Sequence, residues 1–565
     1  MKLTGAQTIV KCLEEQGVEV IFGFPGGVII DLFDELEKSS ITNVLVRHEQ
    51  AAVHAADAYG RVKGDVGVAL VTSGPGATNT VTGIASAYMD SIPMVVFTGQ
   101  VPTALIGNDA FQEVDIVGIT RPCTKHNYLV KNPNDLATTI REAFYIARTG
   151  RPGPVLIDLP KDVVISKAEF PDPKPIKMQT YRPTYEPHPG QIAKACKEIL
   201  KAKQPVIYAG GGVILSNSNE ELTELATKLH IPTTMTLMGL GGFPGTHKLS
   251  MGMLGMHGTY YANMAVSKCD LLIAVGARFD DRVTGKLTEF APSAKIIHID
   301  IDPTSISKNV KVDIPIVADC KHALTAMNRW FDVHEEFNEK EQTEKLVPWL
   351  EDINDWKRKH PLGYVEEGDI IKPQYVVQKL HKMTQGEAII STEVGQNQMW
   401  AAQFYHFNKP RHFLTSGGLG VMGYGFPAAI GAQMAAPDKI VIDVAGDGSI
   451  QMNIQELATA RQYKCPVKVA ILNNGYLGMV RQWQELFYDK RYAGTDLSIS
   501  PDFVKLAEAY GAVGLRATKV SEVEPVIKEA LATDNTVFMD FVIAREEGVY
   551  PMVPAGKATT EMLLA

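Results

Sequence analysis

The sequence predicts an α/β protein made of three doubly wound domains with parallel sheets, and three observations carry that expectation. Short apolar runs alternate with helical patterns along the whole chain, as in strand–helix–strand units. Two seams of different composition divide this alternation into three comparable blocks. A length of 565 residues also suits about three domains of ordinary size. The blocks are read as 1–165, 190–335 and 370–535, with 536–565 as a C-terminal tail or lid. No internal sequence repeat stands out.

The chain opens on an amphipathic helix pattern over residues 1–18, MKLTGAQTIVKCLEEQGV, which is neither a signal peptide nor an Arg/Ser-rich transit segment. Residues 44–47 (VLVR) read as a strand that runs into His48-Glu49-Gln50 and then a helix-like AAVHAADAYGR. Glu49 thus sits where a strand yields to a helix, on the sheet edge at which α/β proteins bind ligands. A carboxylate there also has a plain structural reading, as a helix-terminal charge. The first seam, 166–190, holds Pro171, Pro173, Pro175, Pro183, Pro187 and Pro189, too many for a helix or central strand, and reads as an extended linker.

In the second block, residues 206–212 (VIYAGGG) and the run LLIAVGARFDDR end strands in glycines, and 296–302 (IIHIDID) is a strand with acids at its end, suited to ribose or ribityl hydroxyls. The second seam, 332–373, is rich in Glu, Lys and Asp, with Trp349 and Trp356 as isolated anchors, and is read as partly surface helix. A literal G-x-G-x-x-G spans Gly418 to Gly423. It lacks the downstream acid in strand context that a dinucleotide site needs, so it is set aside as one.

The third block carries the most informative stretch, residues 439–483. The apolar run 440–444 has the length of a buried strand and breaks at Gly446-Asp447-Gly448. A helical pattern starts near Ser449 and runs to about Tyr463, and a second apolar run, 467–472, ends in Asn473-Asn474-Gly475. In a strand–helix–strand unit the two strands lie parallel and end on one edge, so Asp447 and Asn474 come close. One carboxylate and one amide oxygen are hard ligands suited to Mg²⁺ or Ca²⁺, with room for phosphate oxygens and water. Gly448 permits close backbone approach, and the helix start offers free N–H groups to a diphosphate. The chemistry implied is a metal–diphosphate clamp. Near the C-terminus Pro551 and Pro554 rule out a continuous helix, leaving either a lid over a substrate channel or a docked surface tail.

Composition excludes several classes. Net charge is −9 with no basic run, so nucleic acid is not an expected partner. No apolar run reaches the length of a membrane span. The six cysteines are far apart and form no C-x-x-C, which points to neither a zinc site nor a disulfide framework. A reducing, cytoplasmic location is the simplest expectation.

The GDG followed a little under thirty residues later by NN resembles the signature of thiamine diphosphate (ThDP) enzymes. The H-E-Q context of Glu49 and residues 72–99 are similar to that family's pyrimidine-binding domain. The resemblance sharpens to the acetohydroxyacid synthase (acetolactate synthase) family, specifically its catalytic large subunit, and covers essentially the whole chain. It rests on FGFPGG (22–27), DAFQE (109–113), RPGPVLIDLPKD (151–162), LMGLGGFPGTH (237–247), MLGMHGTYYAN (253–263), RFDDRVTGK (278–286) and GYLGMVRQWQELFY (475–488).

That resemblance implies ThDP, Mg²⁺ and FAD as cofactors. It implies Glu49 against the aminopyrimidine ring, with Phe111, Gln112 and Lys161 near the reacting centre. Around ThDP it places Val394, Gly395, Gln396, Asn397, Gly420, Met422 (propping the cofactor into a bent shape), Gly446, Gly448, Ser449 and Met479. Asp447, Asn474 and Tyr476 would hold the metal. FAD, in a role without net redox, would lie against Arg151, Gly211, Gly212, Thr236, Leu237, Met238, Gly255, Met256, His257, Gly276, Arg278, Asp280, Arg282, Val283, Asp300, Ile301 and Asp319. Arg282 would also pair with a 2-keto acid carboxylate, since guanidinium is a planar, permanently charged fork, and Trp483 would wall the second-substrate pocket.

The activity implied is decarboxylation of pyruvate and condensation with pyruvate or 2-ketobutyrate, the first common step of branched-chain amino acid biosynthesis. Glu49 and the clamp lie on different domains, so the expected assembly is a homodimer or homotetramer with sites between subunits. A small regulatory subunit is implied by family alone. Bland alternatives stand beside these roles: Arg282 as a surface ion pair, Trp483 as helix-face core, Lys161 as a solvated loop charge. The nearest rival within the fold is a pyruvate oxidase or decarboxylase, and a rival of another class is a non-catalytic nucleotide-binding protein on the same scaffold.

Overall fold

The computed structural model describes residues 1–564. Three six-stranded sheets organise the chain, and every strand pair within them is parallel. The first runs, in spatial order, Thr42–Leu45, Val20–Phe24, Gly67–Val71, Met94–Gln100, Pro154–Pro160, His126–Leu129. The middle sheet runs Ser250–Met253, Thr233–Met235, Pro205–Ala209, Leu271–Val275, Lys295–Asp300, Ile314–Val317. The third runs Phe413–Leu414, Ile389–Thr392, Val441–Gly446, Lys468–Asn473, Val537–Val542, Val513–Ala517. Strands such as Met94–Gln100 and Pro154–Pro160 are buried at every position. Helices cover both faces, which is why these strands read as continuous apolar runs.

Numbered within each block, the first and third sheets share the order 2-1-3-4-6-5, whereas the middle sheet is 3-2-1-4-5-6, the order of dinucleotide-binding sheets. The chain therefore contains a repeat of topology that its sequence does not display. The two like domains meet through the helices Glu49–Lys63 and Gly425–Ala435. A Cβ on Gly431 would sit 2.0 Å from the carbonyl of Ala55, so this crossing requires glycine. The helix Gly425–Ala435 is buried nearly all round and correspondingly apolar all round.

Three local expectations are corrected. The segment expected as a helix from Ser449 to Tyr463 is two 3₁₀ turns, Ile450–Met452 and Ile454–Glu456, followed by a six-residue helix, Leu457–Gln462. Buried polar side chains there bond sideways instead of following a regular helix: Asn453 Nδ2 donates to Gly423 O at 2.6 Å, and Glu456 accepts the Arg47 N–H at 2.9 Å. The linker is shorter than 166–190. Lys167–Glu169 pairs antiparallel with Lys2–Thr4, and Pro189 opens the helix Pro189–Lys201, where its missing N–H costs nothing. The stretch from 536 does not begin as a tail. Val537–Val542 is an inner strand of the third sheet, and its Asp540 accepts from Arg516 at 2.9 Å and Asn473 at 3.0 Å. Beyond it the chain docks without a helix: Val553 N donates to Met256 O at 2.8 Å, and Met552 and Leu563 exchange backbone hydrogen bonds.

Trp349 and Trp356 lie on the helix Glu339–Lys359; Trp349 is buried and donates from Nε1 to Pro205 O at 3.1 Å. No helix among the described residues is long and apolar enough to cross a membrane.

Candidate active site

The third sheet places the clamp residues as parallel strands require. Gly446 pairs with Leu472 in register, so the turns that follow, Asp447-Gly448 and Asn473-Asn474, leave the same edge side by side. Asp447 is buried, and its Oδ2 has no hydrogen-bond partner. Desolvation pushes its carboxyl up to about 7, opposed by the backbone N–H groups of the loop, including those of Asn474 and Gly475. A buried carboxylate with a free oxygen is costly unless a cation meets it. Asp447, the Asn474 amide and nearby backbone carbonyls are hard oxygen donors, so the residues present fit Mg²⁺. Tyr476 lies on the same loop beneath the Arg545 guanidinium, 4.4 Å from the ring centre. A Cβ on Gly446 would be 3.2 Å from Asn397 Oδ1, and one on Gly448 would press on Leu477 Cδ2 at 2.7 Å, with Met422 Cε at 3.9 Å. Ser449 opens a 3₁₀ turn and not an α-helix, so any diphosphate there meets turn N–H groups without a long helix dipole.

Beside this clamp lies a cavity of about 1190 Å³. Of the residues expected around ThDP, Val394, Gly395, Gly420, Met422 and Met479 line it, whereas Gln396, Asn397, Gly446, Gly448 and Ser449 do not. It is also lined by Arg151, Gly211, Gly212, Thr236, Leu237, Met238, Met256, His257, Gly276, Arg278, Asp280, Arg282, Val283, Asp300, Ile301 and Asp319, and by Trp483. Of the residues expected around FAD, Gly255 alone does not face the cavity; a Cβ on it would collide with the Arg282 carbonyl at 2.5 Å, so its role is to let that loop close. Tyr208 Oη, Thr236 Oγ1 and His257 Nδ1 are buried at this cavity without partners, as is Trp483 Nε1. Glycines bring the walls together: Gly212 approaches Gly276 so closely that an added Cβ would lie 2.6 Å from its Cα. A long, partly polar cavity with unpartnered buried donors and acceptors fits a flavin nucleotide. Burial holds the His257 imidazole near 4, so it is neutral. Arg282 is largely exposed and pairs with Asp281 at 3.0 Å, leaving guanidinium N–H groups free for an acid.

Glu49, Phe111, Gln112 and Lys161 all belong to the first domain, and none of them lines this cavity. Glu49 is the first residue of its helix, and Asn79 Nδ2 donates to its Oε2 at 2.9 Å. Glycines keep its surroundings open: a Cβ on Gly76 would be 3.2 Å from Glu49 Oε1, and one on Gly74 would press on Gln112 at 2.8–2.9 Å. Lys161 Nζ donates to Gly27 O at 2.9 Å, and Phe111 is 88% exposed.

Each sheet block matches a thiamine pyrophosphate (the same cofactor, ThDP) family model. Residues 3–119 match the N-terminal TPP binding domain, 192–327 the central domain and 393–541 the C-terminal TPP binding domain. Across the whole chain, the sequence is 50% identical to the acetolactate synthase large subunit of Haemophilus influenzae, covering 98% of that protein. It is likewise 49% identical to the isozyme 3 large subunit of Escherichia coli K12, covering 99% of it. The chain belongs to the acetolactate synthase large-subunit family of thiamine pyrophosphate enzymes. The large subunit of Corynebacterium glutamicum is 50% identical over 90% of its own length.

In this acetolactate synthase family member, two acids with no local sequence signal support the site from a distance. Glu393, wholly buried, accepts the N–H groups of Gly423 at 2.7 Å and Phe426 at 3.1 Å, fixing the loop that carries Gly420 and Met422; burial raises its carboxyl to about 7. Asp90 accepts from Gly417 N at 3.0 Å and Gly418 N at 2.7 Å, tying the first domain to the same loop. No local signal marks either acid, because each acts across a domain or a sheet layer.

Proposed function

We propose that this chain is the catalytic subunit of an acetolactate synthase that holds ThDP, Mg²⁺ and FAD. It joins a two-carbon unit from pyruvate to a second pyruvate, or to 2-ketobutyrate, giving 2-acetolactate or 2-aceto-2-hydroxybutyrate. The observation that carries this reading is a single cavity lined both by five of the residues expected around ThDP (Val394, Gly395, Gly420, Met422 and Met479) and by all but one of those expected around FAD. When bound, ThDP would supply the nucleophilic carbon and electron sink that decarboxylation and two-carbon transfer require.

The chain's own residues do the rest. Asp447, Asn474 and Tyr476 would hold the cation, and Gln396, Asn397, Gly446, Gly448 and Ser449 would hold the diphosphate beside it. Glu49 holds a proton against the aminopyrimidine nitrogen, and the Asn79 hydrogen bond aims its carboxylate. Arg282 orients the second keto acid by its carboxylate, and Trp483 walls the alkyl end. Gln112, Phe111 and Lys161 close the first-domain side. That group lies outside the cavity of its own chain, and Phe111 is almost bare. A homodimer or homotetramer, in which a second copy brings its Glu49 group to this cavity, completes the site. A small regulatory subunit fits the large-subunit family.

Reconstitution tests the proposal. Acetolactate formation by the stripped protein should need ThDP, Mg²⁺ and FAD together, with flavin absorbance constant through turnover. Full activity without flavin would remove FAD from the account.

A further inference from the structure

A row of hydrogen-bonded amides connects the C-terminal segment to the loop assigned above to the cation. Gln482 is buried on the helix Gly478–Phe487. Its Nε2 donates to the Val549 carbonyl at 3.0 Å, and its Oε1 accepts the Val549 N–H at 2.9 Å. A backbone carbonyl can only accept and a backbone N–H can only donate, so residue 549 dictates which way the Gln482 amide faces. The same Oε1 accepts from Gln396 Nε2 at 2.9 Å, and that nitrogen also donates to the Glu547 carbonyl at 3.0 Å. Gln396 is therefore held with its Oε1 away from the tail, where it accepts Asn474 Nδ2 at 3.2 Å. With its nitrogen committed, Asn474 turns Oδ1 into its own loop, 3.1 Å from the Tyr476 N–H.

The orientation of each amide follows from backbone groups at the tail end, not from a choice of flip. Gln396, Asn474 and Gln482 are all buried, so reversing any one sets like groups face to face without water to relieve them. The tail end of the row is itself clamped. Arg545 Nε donates to Asn474 O at 3.3 Å, Glu546 pairs with Arg481 at 3.1 Å, and Glu547 pairs with Lys372 at 2.9 Å and accepts from Gln374 at 2.9 Å.

We propose that Gln482 and Gln396 are positioning residues. They transmit the docked register of residues 547–549 to the Asn474 amide, so that docking of the C-terminal segment and cation binding favour each other. This rests on the reading of Asp447 and Asn474 as cation ligands. An Asn474 turned the other way would offer an NH₂ group, which cannot ligate. Coupling of this kind is reciprocal.

The test is Mg²⁺ titration of the full chain in ThDP, followed by calorimetry. Gln482→Met keeps length and removes both polar ends; it should weaken Mg²⁺ binding by roughly 5–20-fold, toward the low end of ordinary coupling. The double variant Gln396→Met/Gln482→Met should bind no worse than Gln396→Met alone, because a broken chain cannot be broken twice. Additive losses, or unchanged binding in Gln482→Met, overturn the relay. A wild-type measurement covers the case in which a variant fails to fold: Mg²⁺ with ThDP should slow hydrogen exchange at the Val549 amide, and an unchanged rate overturns the proposal. Asp447→Ala separates the two levels. If it leaves Mg²⁺-dependent ThDP binding intact, the cation reading and the relay both fail. If it abolishes that binding while Gln482→Met has no effect, the relay alone fails.

Discussion

Arg61 is the one cation in a buried cluster that joins the first domain to the loop over the cofactor cavity. Its Nε donates to Asp57 Oδ1 at 2.6 Å and its Nη2 to Asp57 Oδ2 at 3.3 Å. Nη2 also reaches Asp90 Oδ2 at 3.2 Å, and Nη1 reaches the Thr415 carbonyl at 3.0 Å. Burial pushes the Asp57 carboxyl above the usual range, and Arg61 is the charge that opposes it. Consider Arg61→Met. Asp90 keeps the two glycine N–H groups, but Asp57 keeps only the Tyr424 hydroxyl at 2.7 Å.

The stranded carboxylate then takes up a proton. For a group with an ordinary pKa of ~3.9, that costs at most about 4 kcal/mol at pH 7, at ~1.36 kcal/mol per unit. Loss of one partner from a buried pair typically costs about 3–5 kcal/mol, in agreement. The sign with pH is fixed by linkage. In the variant, folded Asp57 binds a proton that the unfolded chain does not, so folding gains as pH falls toward the unfolded pKa. The deficit against wild type should be largest above pH 7 and shrink, by at most about 1.4 kcal/mol per unit, as pH falls toward the carboxyl pKa of wild-type Asp57, which burial itself raises. Urea unfolding followed by circular dichroism, at pH 5 to 8 and fixed protein concentration, measures it. A deficit below about 1 kcal/mol, or one that does not change across this range, would refute the reasoning.

Four further outcomes are expected. Glu49→Gln should lower turnover by ~10²–10⁴-fold while ThDP stays bound, the usual loss for a positioned acid–base group; near-normal rates with bound cofactor would return Glu49 to a helix-terminal charge. Asp447→Ala should weaken ThDP and Mg²⁺ together in calorimetry, because the ion proposed there would link protein to diphosphate. Trp483→Leu should lower the preference for 2-ketobutyrate, since one methylene against an apolar wall is worth ~1–3 kcal/mol; Arg282→Lys should weaken both products alike by losing the bidentate fork. A competition assay with both keto acids reads these last two effects, and an unchanged product ratio in the Leu variant would leave Trp483 as packing.

Much of this architecture was legible in the sequence because parallel α/β domains write their strands as short apolar runs and put ligands at the strand ends. The approach of Asp447 to Asn474 needed only the strand–helix–strand rule. The cavity walls at Gly211, Gly276 and Asp300 were visible as strand ends in glycine or acid. What was not legible acts across the chain. Asp90, Glu393 and Gln482 carry no local mark, and each is tied to residues at least 30 positions away. The 3₁₀ turns after Ser449 escaped because apolar spacing there fits a helix, whereas the Asn453 and Glu456 side chains bond to neighbouring loops. The strand Val537–Val542 carries a signal, a largely apolar run, that lies just beyond the expected domain boundary at 535. The shared strand order of the outer sheets left no sequence trace, since topology constrains pattern far more than identity.

The most direct test is to incubate the purified full chain with pyruvate, ThDP, Mg²⁺ and FAD and identify the product by NMR. The account predicts CO₂ release with accumulation of 2-acetolactate, and 2-aceto-2-hydroxybutyrate when 2-ketobutyrate is added. Acetaldehyde as the sole product, or acetyl phosphate with hydrogen peroxide, would contradict it and make the chain a decarboxylase or an oxidase on the same three sheets.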